Sequence, residues 1–432
     1  MSNKITVAKM MQAIYKMEEK EARRCTMLGI GPMSEPVIRA SFELAKEKKF
    51  PLLFIASRNQ IDARKFGGGY VRGWDQKDFV KALQSIADEA GFDGLYYVCR
   101  DHGGPWQRDK ERSDKLPTAQ AMAVGKESYL EDLLAGFDLL HIDPTKDPHI
   151  DGIIPMDIVL ERTVELIEYV ETERKARGLA PISYEVGTEE TNGGLTSDEA
   201  YATFIRTLSA RLSEKGLPMP VFIVGQTGTL TRMTENVGKY NTDAAMWLSS
   251  DARKFGVGLK EHNGDYLCDE LLYLHPVMGV TATNVAPEYG VAETAAYLEL
   301  AKVENFLVKQ GKAQPSGFVA ALREASVRCE RWRKWMVGAD TQKSVDEVLR
   351  DDAMTDLITR TGGHYTFEEP QVKAALGKMF ETLRAAGLCP ERSVVDSIKR
   401  SIGRYAECFQ LTGITEKIFE YADKEKKSKS RV

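Results

Sequence analysis

The segment Cys99-Arg100-Asp101-His102-Gly103-Gly104-Pro105-Trp106 sets a carboxylate beside an imidazole, directly after the apolar run Leu95-Tyr96-Tyr97-Val98. That run reads as a buried strand, and Gly103, Gly104 and Pro105 stop it. The C-terminal end of such a strand is where parallel α/β enzymes keep their chemistry. The chain has only 6 histidines, so the place of each one is informative. His141 and Asp143 close another apolar run, in Leu140-His141-Ile142-Asp143-Pro144. Glu189 follows Tyr184-Glu185-Val186-Gly187-Thr188, and Gln226 follows Val224-Gly225. Glu261, His262, Asn263 and Asp265 follow Leu259-Lys260. Imidazole combined with carboxylate suits a divalent metal such as Zn²⁺, Mn²⁺ or Co²⁺. An ion with an open position can polarise a carbonyl and stabilise an enediolate, while neighbouring carboxylates move protons. Each histidine taken alone also fits a hydrogen-bonded structural role. The joint placement of His102, His141 and His262 at strand ends favours a metal site. His149 and His275 read as loop residues, and His364 as structural or as a subunit contact.

A second cluster follows the next candidate strand upstream. It runs Ser57-Arg58-Asn59-Gln60, then Lys65-Phe66-Gly67-Gly68-Gly69-Tyr70-Val71-Arg72-Gly73-Trp74. Consecutive glycines let backbone amides approach a ligand. Arg58, Arg64, Lys65 and Arg72, with Arg100 and Arg108, would make this mouth positive and suited to an anionic substrate. The loop is not a phosphate-cradling Walker A sequence, since no Gly-Lys-Ser/Thr follows the glycines. The small-residue segment Gly279–Pro287, with Asn263-Gly264, offers further amides for a phosphate near the last strands.

These residues need a scaffold that gathers strand ends. Strands are expected at 24–28, 52–56, 95–99, 139–142, 182–186, 221–224, 256–259 and 277–284. Helices are expected near 35–47, 76–90, 129–135, 158–177, 197–215, 265–274 and 292–310. Eight βα steps over about 290 residues fit an α/β fold of the (β/α)8 TIM-barrel class. A doubly wound open sheet reads the same way by periodicity. Residues 1–310 are assigned to the barrel and 311–423 to a C-terminal helical appendage. The basic run at 424–432 is expected to be disordered.

Composition narrows the function. The chain has 432 residues, a net charge of −5 and 28% charged residues. That balance argues against a nucleic-acid partner. No long apolar run suggests a membrane span. The N-terminal residues do not read as a secretory signal, and the scattered cysteines fit a reduced, cytoplasmic protein.

The ordered set Asn59-Gln60, Phe66-Gly67-Gly68, Asp101-His102-x-Gly104-Pro105, His141-Ile142-Asp143, Gly187-Thr188-Glu189 and Glu261-His262-x-x-Asp265 resembles the GatZ/KbaZ family. These are D-tagatose-1,6-bisphosphate aldolase accessory subunits, sometimes labelled tagatose-6-phosphate kinases. The resemblance implies a class II aldolase-type barrel with extra C-terminal helices. It makes Asp101 and His102 look like the proton-moving Asp and zinc-binding His of catalytic class II aldolases. Gln226 stands where those enzymes carry another zinc histidine, and His262 is suitably placed. Glu189 could replace the missing ligand, giving a His102–Glu189–His262 site, similar to those of sugar epimerases.

The expected activity is therefore a metal-dependent ketose or ketose-phosphate C4-epimerase or aldolase. His102, Glu189, His262 and His141 would hold the ion, Zn²⁺ first, with Mn²⁺ or Co²⁺ as alternatives. Asp101, Asp143 and Asp265 would serve as acid and base. Arg58, Asn59, Gln60, Arg72, Gln226, Glu261 and Asn263 would line the sugar or sugar-phosphate site. A homo-oligomer is expected. The rival is a non-catalytic subunit that stabilises a separate aldolase catalytic subunit.

Overall fold

A computed structural model describes residues 5–188, 194–336 and 338–429, with side chains up to Ala422. Eight strands alternate with helices and close on one another. They are β1 Met27–Ile30, β2 Leu52–Ser57, β3 Tyr96–Gly103 and β4 Leu139–Ile142. Then follow β5 Ser183–Val186, β6 Phe222–Val224, β7 Gly258–Glu261 and β8 Ala282–Val285. Every neighbouring pair is parallel, and β1 pairs with both β2 and β8, so the sheet is a closed (β/α)8 barrel. Nearly all strand residues are buried, as expected for strands covered by helices outside and packed side chains within. This closure excludes the open-sheet alternative.

The boundaries moved where local chemistry overrode apolarity. The last strand was expected from residue 277. Instead helix Asp269–Met278 runs through Pro276 and ends at Gly279, whose φ of 82° caps it. The first strand begins at Met27 rather than 24. Helix Thr118–Ala135 starts well before the expected 129 because its inner face mixes Ala121, Met122, Tyr129 and Leu133 with small and polar residues. Gly125 packs against the Gly104 backbone, Ser128 donates to Asp62, and Asp132 pairs with Arg100. Two of the helices not expected matter for the barrel. Thr242–Lys254 follows β6, capped by Asn241. Val7–Glu21, capped by Thr6, crosses the N-terminal end of the barrel, where the Ala8 amide donates to Ser183 Oγ at the start of β5. A small hairpin, Thr231–Arg232 with Glu235–Asn236, stands on the opposite rim.

The C-terminal helices do not form a separate body. Phe318, Leu322, Val372, Met379, Leu383, Val394 and Ile402 belong to the same hydrophobic core as the barrel. Helix Pro390–Cys408 lies against Glu35–Lys48 and Pro287–Lys309, while Ile414–Lys429 lies against Val7–Glu21. A small satellite core gathers Val327, Trp332, Val348, Met354 and Ile358. The run expected to be disordered from residue 424 continues that last helix to Lys429; residues 430–432 lie outside the described residues. No helix among the described residues is long and apolar enough to cross a membrane.

Candidate metal centre

β3 is the longest strand, and it is irregular at its end. Its register against β4 shifts between Arg100 and Gly103, and His102 has a φ of 44°. Neighbours on a regular strand point to opposite faces. The bulge and the left-handed turn let both Asp101 and His102 face the barrel axis. There they meet His141 from β4 and His262, which directly follows β7.

One potential ligand atom from each of the three histidines lies within 4.8 Å of the others. His262 Nδ1 and His102 Nε2 face each other at 3.0 Å. The other ring nitrogen of each is held by a carboxylate. His102 Nδ1 is 2.6 Å from Asp143 Oδ2, and His262 Nε2 is 2.8 Å from Glu185 Oε1. With the ring protons donated to those carboxylates, the two facing nitrogens both carry lone pairs, an arrangement suited to a shared cation, either a proton or a metal ion. Asp101 Oδ1 stands 4.0 Å from His102 Nε2, 3.8 Å from His262 Nδ1 and 3.9 Å from His141 Nδ1. Donors around a zinc ion at ordinary bond lengths stand roughly 3.3 Å apart, close to the 3.0 Å between His262 Nδ1 and His102 Nε2, with Asp101 just outside them. His141 Nε2 is buried without a hydrogen-bond partner, and the His102 amide donates to its Nδ1 at 3.1 Å. The residues present thus fit a divalent metal, with carboxylates behind two imidazoles in the usual supporting arrangement.

Burial by itself would raise Asp101, but the surrounding imidazoles, His102 foremost, hold its carboxyl well below the usual range. Asp143 is likewise depressed against burial by His102 and His141. Burial opposes ionisation of Glu185 too, yet Lys260 and the histidines bring it down to about 2. His262 is lowered by burial, and His102 is raised by Asp101 and Asp143 against its own burial.

Glu185, Lys260 and Asn284 were not expected in this centre. The Lys260 ammonium pairs closely with Glu185 inside the barrel. Asn284 on β8 donates to Asp101 Oδ1 at 3.0 Å. A signal existed in the sequence: Glu185 and Lys260 are charges inside otherwise apolar strands, and such charges are almost never buried without a partner.

Other expected residues are placed elsewhere. Glu189 lies outside the described residues. Asp265 accepts from the amides of Ala286 and Glu288 at the start of helix Pro287–Lys309, with burial raising it to about 7. Glu261 points from β7 towards the helices, accepting from Tyr240 and standing 2.8 Å from His275 Nε2. His275 is therefore a buried helical residue rather than a loop one. The Asn263 carbonyl accepts from Asn236. The Gln226 amide donates to Thr196 Oγ1. Asn59 bridges Gln107 and Asp109, and Gln60 holds the Ser57 amide.

The positive loop does not form as expected. Arg58 is fully buried on Asp62 and Glu111. Arg100 is fully buried on Asp132 and on the carbonyls of Ala56 and Ile61. Arg64 pairs with Asp78, Lys65 with Glu127 and Glu131, Arg72 with Glu35 and Glu368, and Arg108 with Asp62. Asp62 and Asp78 are near in sequence, while Glu111, Glu127, Glu131, Asp132 and Glu368 come from distant elements that a local reading could not bring to these cations.

A family model described as D-tagatose-1,6-bisphosphate aldolase subunit GatZ/KbaZ-like matches residues 11–394. Among solved structures, the chain is similar to a probable tagatose 6 phosphate kinase from Sinorhizobium meliloti 1021, with a TM-score of 0.71 and 22% identity over 89% of this chain and 100% of that one. It is similar to the fructuronate-tagaturonate epimerase UxaE from Cohnella laeviribosi, with a TM-score of 0.56 and 12% identity over 90% and 82%. It is also similar to a fructose-bisphosphate aldolase from Campylobacter jejuni, with a TM-score of 0.53 and 10% identity over 95% and 96%. At these identities the likenesses concern the fold.

Proposed function

The chain belongs to the D-tagatose-1,6-bisphosphate aldolase subunit GatZ/KbaZ-like family, and from that premise we propose that it is a metal-dependent enzyme of carbohydrate metabolism acting on a ketose or ketose phosphate by C4 epimerisation or aldol cleavage. The observation that carries this reading is the facing pair His262 Nδ1 and His102 Nε2, 3.0 Å apart, with both opposite ring nitrogens committed to carboxylates. His102 and His262 would hold a divalent ion, zinc by its donor set, with His141 beside them. An ion so held supplies Lewis-acid polarisation of a carbonyl.

The chain's own residues would do the rest. Asp143 and Glu185 fix the two imidazoles in orientation. Asp101 is kept ionised beside the centre and oriented by Asn284, so its oxygen can take a proton from a substrate hydroxyl or from the carbon beside a carbonyl, and return it. Retro-aldol cleavage and re-addition need such a group on each stroke. Lys260 keeps the Glu185 charge in place without reaching the mouth.

The family description favours a second reading, a subunit that supports a separate aldolase. Incubation of the metal-loaded chain, alone, with free ketoses, ketose phosphates and hexuronates distinguishes the two. Turnover without a partner supports the enzyme. A chain that converts none of them but raises the activity or lifetime of a class II aldolase supports the subunit.

A further inference from the structure

We propose that Arg331, supplied by the C-terminal helices, receives the acidic end of the substrate, whether phosphate or carboxylate. The proposal rests on the reading of the barrel mouth as a sugar site. Arg331 opens the short turn Arg331–Lys334. Its guanidinium lies 4.6 Å from the centre of the Tyr70 ring and 4.7 Å from that of Tyr365. These rings meet edge to face at 5.0 Å, and Trp335 stacks on Tyr365 at 5.5 Å.

The position is on the C-terminal rim of the barrel. Tyr70 belongs to the loop after β2, and its hydroxyl donates to Met33 Sδ in the loop after β1. Tyr365 feels the charge of Asp265, in the loop after β7. Tyr266, next along that loop, has a buried hydroxyl with no hydrogen-bond partner. Barrels commonly bind phosphate on this side, at the loops of the last strands.

Arg331 differs from the cations of the loops after β2 and β3 in lacking a counter-ion. Arg58, Arg64, Lys65, Arg72, Arg100 and Arg108 are all paired with carboxylates. Arg331 has ring contacts but no carboxylate or carbonyl partner among the described residues. Asp109 senses its charge, but the oxygens of Asp109 are taken by Lys334 and Arg112. Buried His364 nearby is pushed down to about 3 by burial and then by the Arg331 charge. Aromatic rings cover the guanidinium without using its N–H groups. Those donors form a planar fork that matches phosphate or carboxylate bidentately. The contact of Arg331 with Tyr70 also gives the appendage a role in recognising substrate.

Equilibrium binding of inorganic phosphate and of D-glucuronate tests this on the full chain treated with chelator, so that a bound ion cannot hold the probe. Wild type is compared with Arg331→Gln and Arg331→Lys, each checked for folding by its melting transition. At least about tenfold weaker binding to Arg331→Gln is expected, with Arg331→Lys between the two. A loss confined to phosphate assigns a phosphorylated substrate, and a loss confined to glucuronate assigns a uronate-like one; either supports the proposal. Equal binding by wild type and Arg331→Gln overturns it, as does a wild type that binds neither probe. Because the readout needs neither metal nor turnover, its failure is distinct from failure of the catalytic reading.

Discussion

His102 on β3 and His262 after β7 lie 160 residues apart in sequence, yet their ring nitrogens face each other at 3.0 Å, each imidazole braced from behind by a different carboxylate. The brace predicts a graded effect. Asp143→Asn leaves the donor atoms in place but removes the charge behind His102. Metal affinity should fall by about 10–100-fold, measured by competition with a chromophoric chelator. An unchanged affinity would remove Asp143 from the supporting role.

Asp101→Asn separates holding the ion from moving the proton. The variant should keep its metal while kcat falls by about 10²–10⁴-fold, with KM changing far less. If the metal leaves with the carboxylate, Asp101 is a ligand first and a base second.

The Glu185–Lys260 pair is buried inside the barrel. Lys260→Met leaves the buried Glu185 charge with only the His262 and His141 imidazoles beside it, which should cost up to about 3–5 kcal/mol in denaturant unfolding. Adding Glu185→Gln should recover a large part of that loss. Additive losses in the double variant would mean that the two charges are not coupled.

Glu293, on helix Pro287–Lys309, is raised to about 7 by burial, against hydrogen bonds from Ser34 and Tyr297. Its ordinary value is near 4.5, so the unfolded chain ionises it first as pH rises. Its contribution to stability is therefore full below about pH 4.5 and is lost as pH climbs to 7, by up to about 3 kcal/mol. Glu293→Gln should gain in Tm relative to wild type between pH 5 and pH 8. Parallel Tm–pH curves for the two proteins would contradict the assignment.

The barrel was legible because each parallel strand is a short apolar run ended by Gly, Pro or polar residues, and because eight such runs recur with helices between them. The gathering of Asp101, His102, His141, Asp143 and His262 was legible for the same reason: a closed barrel brings its strand ends to one mouth. Inward-facing Glu185 and Lys260 were hidden inside strands read only for their apolarity. Glu261 was misread as a mouth residue because alternation on β7 sends Lys260 inward and Glu261 out to His275. Asp62, four residues after Arg58, was a local sign of its pairing, but Glu111 and Asp132 reach Arg58 and Arg100 from the helices after β3, which only the fold shows. Arg331 was invisible as a site residue because it sits in the appendage, more than 250 residues from Tyr70, and only the tertiary fold brings the two together.

The most direct test is elemental analysis of the purified full chain, produced with zinc, manganese and cobalt available, beside His102→Ala and His262→Ala. The account predicts about one divalent ion per wild-type chain and its loss from both variants while their folds persist by circular dichroism. A wild-type chain that remains free of metal, or variants that retain the ion, would contradict it.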